Sequence, residues 1–359
     1  MSAAASGKTL ITGAAGFIGA RVAARLIERG AAVVGLDNLN TYYDPRLKRD
    51  RLSLLASQRG FQFVEADIAD RAAMEALFRN QQFTTVIHLA AQAGVRHSLD
   101  HPHDYVQSNV TGFLHMLEGV RATEVRHFIY ASSSSVYGTS RELPFATNDR
   151  ADTPVSLYAA TKRANELMAH CYHHLFQLPA TGLRFFTVYG PWGRPDMAPF
   201  RFARAILRGE TIDVYNYGRM RRDFTYIDDV AEGVVRVAER EPDGFRLFNV
   251  GASQPVALLE FIGALERALG RRARKRFLPL QPGDLVATHA DVEDFWEFTG
   301  FRPATPIEKG LAKFAEWYRQ YYREEEHEHS NGGDDLRGAE RERDSTCRGV
   351  TAHAAFRTS

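Results

Sequence analysis

The chain has 359 residues, of which 44% are hydrophobic and 25% charged, as in a soluble globular protein of one or two domains. Lys and Arg (45) nearly balance Asp and Glu (44) for a formal charge of +1, so no broad nucleic-acid surface is indicated. Cys171 and Cys347 lie too far apart to suggest a disulfide framework, no apolar run has the length of a membrane span, and the N-terminus lacks a signal-peptide layout. We expect a cytoplasmic protein with no nucleic-acid or membrane partner.

The first half of the chain alternates short apolar runs with helical patterns. The runs typical of strands are "KTLITG", "AVVGLDN", "FQFVEADI", "TTVIHLAA", "RHFIYASSSS" and "TGLRFFTVYG". The segments with helical spacing include "FIGARVAARLIERG", "RAAMEALFRN" and "DYVQSNVTGFLHMLEGVRAT". This alternation predicts an α/β fold with a doubly wound parallel (Rossmann) sheet.

The pattern changes after Gly190. "PWGRPDMAPF" is typical of a loop, "RFARAILRGE" of a short helix and "IDVYNYG" of a strand. "RDFTYIDDVAEGVVRVAER" and "RLFNVG" return to the strand and helix pattern. Two further helices, "VALLEFIGALERALG" and "IEKGLAKFAEWYRQYY", flank the basic run "GRRARKRF", which we interpret as a solvated loop.

These changes suggest two interleaved domains and a tail. Residues 1–190 and 225–252 are assigned to the Rossmann domain, which binds the cofactor. Residues 191–224 and 253–322 are assigned to a smaller, interleaved C-terminal domain that binds the substrate. Residues 323–359 are polar, and disorder is predicted for them.

Three glycines mark the first loop. Gly13, Gly16 and Gly19 in "TGAAGFIG" follow a strand and open a helix, where backbone N–H groups can approach a pyrophosphate. The next strand ends at Asp37, about 20 residues later, where a carboxylate can accept hydrogen bonds from both ribose hydroxyls. It would repel a 2′-phosphate, so the pattern favours NAD over NADP. The alternative is a structural turn with a solvated Asp37.

Later strand ends extend this candidate cofactor site. Asp67 ends a strand at a position where its side chain could contact the edge of the cofactor's adenine ring. The next strand ends in the residues Leu89, Ala90 and Ala91, which would let the backbone lie against the cofactor. The alternative for Asp67 is ordinary packing between a strand and a loop. The full predicted cofactor set is Gly13, Gly16, Phe17, Ile18, Gly19, Asp37, Asn38, Asp67, Ile68, Leu89, Ala90, Ala91, Tyr158 and Lys162.

The segment "SLYAATKRANELMAH" carries Tyr158 and Lys162 four positions apart, on one face of a predicted helix. A serine run, 132–135, precedes it at a strand end. A phenol has a pKa near 10, so it becomes a base at neutral pH only when that pKa falls by ~3 units. A lysine one turn away and the charge of an oxidised nicotinamide can lower it. The alternative is a packed tyrosine beside a solvated lysine.

These motifs resemble the extended short-chain dehydrogenases/reductases, and most closely the UDP-glucuronate 4-epimerases. The resemblance runs from "TLITGAAGFIG" through "LDNLNTYYD", "HLAAQAGVRHSL", "ASSSSVYG", "LRFFTVYGPWGRPDM" and "DVYNYGRMRRDFTYIDD" and fades after about residue 320. It implies that Ser133, Tyr158 and Lys162 are catalytic and that the protein is a homodimer. It also implies a substrate-binding set, which is Arg96, Ser133, Ser134, Thr187, Arg194 and Arg222.

The implied activity is an NAD-dependent isomerase of nucleotide sugars in polysaccharide biosynthesis, which converts UDP-glucuronate through a 4-keto intermediate. Arg222 would clamp the diphosphate, and Arg194 would hold the sugar carboxylate, unless it simply pairs with Asp196. A UDP-glucose 4-epimerase and a non-catalytic NAD-sensing protein remain alternatives. The related dehydratases carry an acidic residue soon after the catalytic hydroxyl, and they are disfavoured because Ser133 is followed by Ser134, Ser135 and Val136.

No metal site is expected. "AHCYHH" places His170 and His174 on one helical face, but the sequence offers no third ligand for them. The histidines of "RHSLDHPHDY" are interpreted as solvated residues of loops and helix caps.

Overall fold

The main sheet has seven strands. The computed structural model describes residues 7–322 apart from 124, 141 and 282–284. The strands of the main sheet are β1 (Lys8–Thr12), β2 (Ala32–Asp37), β3 (Phe61–Glu65), β4 (Phe83–His88), β5 (His127–Ser133), β6 (Ala180–Phe185) and β10 (Phe245–Val250). Their order is β10-β6-β5-β4-β1-β2-β3, and every neighbouring pair is parallel. The predicted parallel sheet is confirmed.

Helices follow most strands and cover the sheet. They are α1 (Phe17–Glu28), α2 (Pro45–Ala56), α3 (Arg71–Asn80), α4 (His97–Asp100), α5 (Pro102–Tyr105), α6 (Gly112–Ala122), α7 (Leu157–Phe176), α8 (Ala198–Arg208), α9 (Ile227–Glu239), α10 (Leu258–Leu269), α11 (Glu293–Thr299) and α12 (Ile307–Tyr321). Leu10 of β1 packs in one core with Met74 of α3 and Phe113 of α6. Ile11 points to the opposite face, because side chains alternate along a strand, and it is buried too.

Smaller sheets come from the second half of the chain. β7 (Thr187–Tyr189), β9 (Arg221–Tyr226) and β11 (Pro255–Ala257) form a sheet in the order β11-β9-β7, and β8 (Thr211–Val214) pairs in parallel with β12 (Arg274–Phe277). With α8 and α10, these strands make up the smaller part of the fold. The predicted domain boundaries remain a proposal.

The position of the functional site follows from the strand order. The chain leaves β1 toward β2 and β3, and then returns to β4 on the other side of β1. The loops that follow β1 and β4 therefore diverge, which opens a crevice at the carboxyl ends of the strands.

Two strand predictions were partly wrong. "TGLRFFTVYG" forms two strands in different sheets, because β6 ends at Phe185 and Phe186 N donates to Val250 O (3.0 Å) before β7 begins. In "IDVYNYG" only β8 is extended, and residues 215–218 form a 3₁₀ turn with positive φ at Asn216 and Tyr217. Tyr217 N donates to Leu278 O (3.0 Å), a long-range contact that no local pattern encodes.

The interpretation of the basic run as a loop was wrong for its second half. Its second half is β12, where Arg276 pairs with Asp213 of β8 (2.7 Å) and Lys275 pairs with Glu266 of α10. Two charges of the run are therefore paired with carboxylates from other elements, although most of the strand is exposed. The sequence analysis also missed α2, α4 and α11.

The compact unit that contains all three sheets ends at Ala315, within α12. Residues 323–359, for which disorder was predicted, lie outside the described part of the chain. Of the helices in the described part, none combines the length and the apolar character needed to cross a membrane.

Candidate active site

The glycine loop after β1 is packed too tightly for side chains. Gly13 has φ +72°, and a Cβ there would lie 2.8 Å from the main-chain N of Ala90 in the loop after β4. A Cβ on Gly19 would lie 2.0 Å from Gly13 O. Gly16 is the N-cap of α1, and no side chain caps this helix. Bare backbone and a positive helix end therefore face the crevice, as a pyrophosphate requires.

Asp37 is fixed beside this loop. Its carboxylate is almost fully buried and accepts hydrogen bonds from Ala15 N (3.2 Å) and Leu39 N (2.9 Å). Lys48 Nζ lies 3.8 Å away. This cation was not anticipated from the sequence, because α2 itself was not predicted. The loop, the helix end and the carboxylate together fit a dinucleotide with an unphosphorylated ribose.

One cavity of about 420 Å³ contains every residue of the predicted cofactor set in its lining. The predicted catalytic residues Ser133, Tyr158 and Lys162 line it too, as do Ser134, Thr187 and Arg194 from the predicted substrate set. A single cavity therefore brings together residues from β2, β5, β7 and α7 and from the loops that follow β1 and β4.

Tyr158 and Lys162 lie on the first turns of α7. The helix begins after Ser156, whose hydroxyl accepts from Ala159 N (3.1 Å). Ser133 is the last residue of β5, and its hydroxyl accepts from Ser135 N (3.2 Å). The end of β5 and the first turns of α7 thus place the three side chains at the carboxyl ends of the strands.

Lys162 is almost fully buried. Its Nζ donates to the main-chain carbonyl of Ala131 (2.9 Å), which anchors the ammonium to β5. Burial lowers the pKa of Lys162 to about 8, and the Glu166 carboxylate one turn further along α7 opposes this shift. The side chain therefore remains mostly protonated at neutral pH.

The chain by itself does not activate Tyr158. Burial raises the pKa of its phenol, while the Ser133 hydroxyl and the Arg194 guanidinium act in the opposite direction. The net shift from the chain's own groups is upward; the lowering that we expected combined a lysine one turn away with the positive charge of an oxidised nicotinamide. Burial is the largest cause of this shift, so a further positive charge is needed to make the phenol a base.

Arg194 lines the cavity and also pairs with Asp196. Its Nε lies 3.0 Å from Asp196 Oδ1, and Nη2 contacts Oδ2. The Tyr42 hydroxyl donates to the same carboxylate (3.2 Å). The ion pair that we considered as an alternative therefore exists. Among the hydrogen bonds of the described residues, none uses Nη1 of Arg194.

The family model for the NAD dependent epimerase/dehydratase family matches residues 9–251. The match contains the glycine loop, Asp37 and all three predicted catalytic residues.

The chain belongs to this family.

The "Probable UDP-glucuronate 4-epimerase" of Rhizobium meliloti is 48% identical to it over 332 residues, which cover 88% of this chain and 97% of that protein. A crystal structure of UDP-glucuronic acid 4-epimerase from Bacillus cereus with UDP-glucuronic acid and NAD has a TM-score of 0.83 and 33% identity, covering 88% of this chain and 100% of that one. The UDP-glucose 4-epimerase of Thermotoga maritima, solved with UDP-glucose, has a TM-score of 0.80 and 29% identity, covering 88% and 99%.

Two residues assigned from the family resemblance lie outside the cavity lining. The guanidinium of Arg96 lies over the Tyr215 ring (5.2 Å), and Arg222 Nη2 donates to Leu285 O (2.6 Å). Arg222 is itself a residue of β9, and Arg96 contacts the turn that follows β8. Their assignment to the nucleotide diphosphate or sugar remains a proposal.

Beneath the site lies a buried ionic network that sequence reasoning missed. Glu166 accepts hydrogen bonds from Arg184 of β6 (2.8 and 2.9 Å), from Ser132 (2.6 Å) and from Arg163 (2.9 Å). Ser132 directly precedes Ser133. A glutamate four residues after Lys162, on the inward face of α7, was the available signal.

Proposed function

We propose that this chain is an NAD-dependent epimerase that inverts carbon 4 of UDP-glucuronate to give UDP-galacturonate. The observation that carries the proposal is the shared cavity. The Ser133 hydroxyl, the Tyr158 phenol, the Lys162 ammonium and the Arg194 guanidinium line it together with the glycine loop. Membership of the epimerase/dehydratase family and 48% identity to the Rhizobium protein support the same reaction.

The residues of this chain hold the cofactor from both ends. The glycine loop receives the pyrophosphate at the N-terminus of α1, and Asp37 accepts from the adenosine ribose. Lys162, fixed by Ala131, holds the ribose at the nicotinamide end. NAD, when bound, supplies the hydride acceptor and donor at carbon 4 of the sugar.

Tyr158 acts as the base that removes the proton of the sugar's 4-hydroxyl and later returns it. Its pKa must fall by about 3 units, which corresponds to roughly 4 kcal/mol. Burial raises that pKa instead, so the base forms only when the positive charge of the oxidised cofactor adds to those of Lys162 and Arg194. Proton removal is thereby confined to the loaded enzyme. Ser133 orients the reacting oxygen.

Arg194 provides the preference for a uronic acid. The 4-keto form of such a sugar is a β-keto acid, which loses CO₂ when the bond to its carboxylate aligns with the carbonyl π-system. A charged donor that holds the carboxylate out of alignment protects the intermediate. Asp196 and Tyr42 fix the guanidinium from one side, which leaves Nη1 for the substrate. Thr187 adds a hydroxyl at the start of β7.

A homodimer is part of the proposal. α6 and α7 pack side by side, and each presents large apolar side chains to solvent. Leu114 (39% exposed) lies on α6 and Val106 (45%) on the π-helical turn Val106–Thr111 that leads into it, while Leu167 (57%) and Leu175 (61%) lie two turns apart on α7; these are two exposed apolar stripes. A second copy of the chain, related by a two-fold axis, would cover both stripes at once.

The oligomeric state can be tested with one charge. Leu167→Glu should shift sedimentation equilibrium from dimer to monomer, because a carboxylate would be buried without a partner. Leu259→Glu, on the exposed face of α10 (44% exposed), is the matched control. A monomeric wild type, or an unaffected variant, would contradict this interface. The cytoplasmic location and the role in polysaccharide biosynthesis remain predictions from the sequence.

The proposed reaction is tested by incubating the purified protein separately with UDP-glucuronate and UDP-glucose and identifying the products by NMR. We expect UDP-galacturonate from the first substrate, little conversion of the second and no accumulation of NADH. Stoichiometric formation of NADH would indicate a dehydrogenase. Faster conversion of UDP-glucose would favour the activity named for the Thermotoga neighbour.

A further inference from the structure

Helix α2 carries two cations on its buried face. The buried residues of α2 are Leu47, Lys48, Arg51 and Leu55. Lys48 faces the carboxylate of Asp37. Arg51 is 1% exposed, and its contacts are of a different kind.

All five N–H groups of Arg51 are used, as a guanidinium offers five donors in a fixed fork. Nη1 donates to Ala15 O (2.9 Å) and to the Tyr43 hydroxyl (2.7 Å). Nη2 donates to Trp192 O (2.7 Å) and Gly193 O (3.1 Å), and Nε donates to Trp192 O (3.2 Å). Within the described part of the chain, no carboxylate is among these partners.

The carbonyls that Arg51 binds belong to two distant segments. Ala15 lies in the glycine loop, between Gly13 and Gly16. Trp192 and Gly193 directly precede Arg194. One side chain therefore joins the segment that receives the cofactor's pyrophosphate to the segment that carries the carboxylate-binding guanidinium.

Residues 192–194 need the hydrogen bonds from Arg51 to keep their conformation. Trp192 has φ +62°, a left-handed conformation that a residue with a Cβ rarely adopts. Two of the five bonds from Arg51 end on the carbonyl of this same residue. A lysine could not reproduce them, because its ammonium is a point charge without the planar fork.

We infer that Arg51 is a positioning residue that couples cofactor binding to recognition of the sugar carboxylate. When the glycine loop is fixed by NAD, Ala15 O is fixed with it, and Arg51 transmits this order to residues 192–194. Thermodynamic reciprocity then requires that bound uronate also strengthens the binding of NAD. The inference rests on the proposed function, since it assigns Arg194 to the substrate.

Hydrogen exchange tests the coupling without any sugar. The full chain is stripped of NAD, and amide exchange is followed by mass spectrometry with and without saturating NAD⁺. In wild type, NAD⁺ should slow exchange both in the glycine loop (13–19) and in residues 190–196. In Arg51→Lys it should still protect the loop but no longer protect residues 190–196. Arg49→Lys, at an exposed position of the same helix, should behave as wild type.

Ligand binding provides the second readout. The affinities of UDP-glucuronate and of UDP are measured calorimetrically with NAD-free and NAD-loaded protein. In wild type, NAD should raise the affinity for UDP-glucuronate by roughly 5- to 150-fold, which is the usual range of such coupling. It should raise the affinity for UDP much less. In Arg51→Lys, NAD should change the affinities of UDP-glucuronate and UDP by the same factor. The melting temperature of this variant should stay near that of Arg49→Lys.

The outcomes distinguish the coupling role of Arg51 from the assignment of UDP-glucuronate as the substrate. Equal protection of residues 190–196 by NAD⁺ in wild type and Arg51→Lys would overturn the coupling, whatever the substrate. Loss of both UDP and UDP-glucuronate binding in the variant would assign Arg51 to the fold alone. Normal coupling in the exchange experiment with no binding of UDP-glucuronate by wild type would support the role of Arg51 and refute the proposed substrate.

Discussion

Replacing Glu166 with glutamine should reveal how much the buried network beneath the active site contributes. The Glu166 carboxylate and the Arg184 guanidinium are each 1% exposed and joined by two hydrogen bonds of 2.8 and 2.9 Å. Glutamine keeps the shape but removes the charge, and its NH₂ group faces the donors of Arg184 or Arg163. The guanidinium of Arg184 is then left buried without a counter-charge.

The expected loss in the free energy of unfolding is about 3–5 kcal/mol, as measured where one partner of a buried pair is removed. The control is Glu293→Gln, which breaks an exposed pair with Arg302 (2.6 Å) and should cost less than about 1 kcal/mol. Combining Glu166→Gln with Arg184→Met should recover part of the stability, because the buried guanidinium that lost its counter-charge is removed as well. Urea titration of all four proteins measures these values.

The same substitution should change the pH profile. Glu166 raises the pKa of Lys162 against the effect of burial. Without the carboxylate, that pKa falls below about 8, and the lysine loses its proton at lower pH. The alkaline limb of kcat should therefore move to lower pH in Glu166→Gln and stay in place in Glu293→Gln. A loss below 1 kcal/mol together with an unchanged alkaline limb would refute the reasoning.

Other predictions concern the base, the glycine loop and acid stability. Tyr158→Phe should lower kcat by about 10²–10⁴-fold with NAD still bound after purification; near-normal turnover would remove Tyr158 from the mechanism. Gly19→Ala should yield protein without bound NAD, because the new Cβ would lie 2.0 Å from Gly13 O, whereas Gly263→Ala, whose Cβ would have 3.6 Å to its nearest neighbour, should retain the cofactor; equal NAD content would contradict this. Burial lowers the pKa of His88 to about 3, while the unfolded chain binds that proton near pH 6.5. Stability should therefore fall by about 1.4 kcal/mol per pH unit below 6.5 on account of this residue. Urea titrations at pH 7 and 5 should show a smaller decrease in His88→Gln, and an identical decrease would exclude His88 as a cause.

The sequence by itself determined the features that depend on local spacing. Strand and helix patterns predicted the parallel sheet, since burial on both faces requires apolar runs and the helices between them have their own period. The glycine loop and the pair formed by Tyr158 and Lys162 were found for the same reason. A tight turn at a helix start and a shared helical face are properties of a few consecutive residues.

Only the tertiary structure decided which distant groups meet. β12 forms by pairing with β8, and Asp213 and Glu266 pair with two charges of a run that the sequence pattern indicated to be a loop. The pKa of Tyr158 is raised because burial outweighs the Ser133 hydroxyl and the charge of Arg194. Such effects are fixed by long-range contacts and by exclusion of water, which a sequence pattern does not record. Arg51 is the clearest case, because its role depends on carbonyl groups, which every residue has and no sequence motif marks.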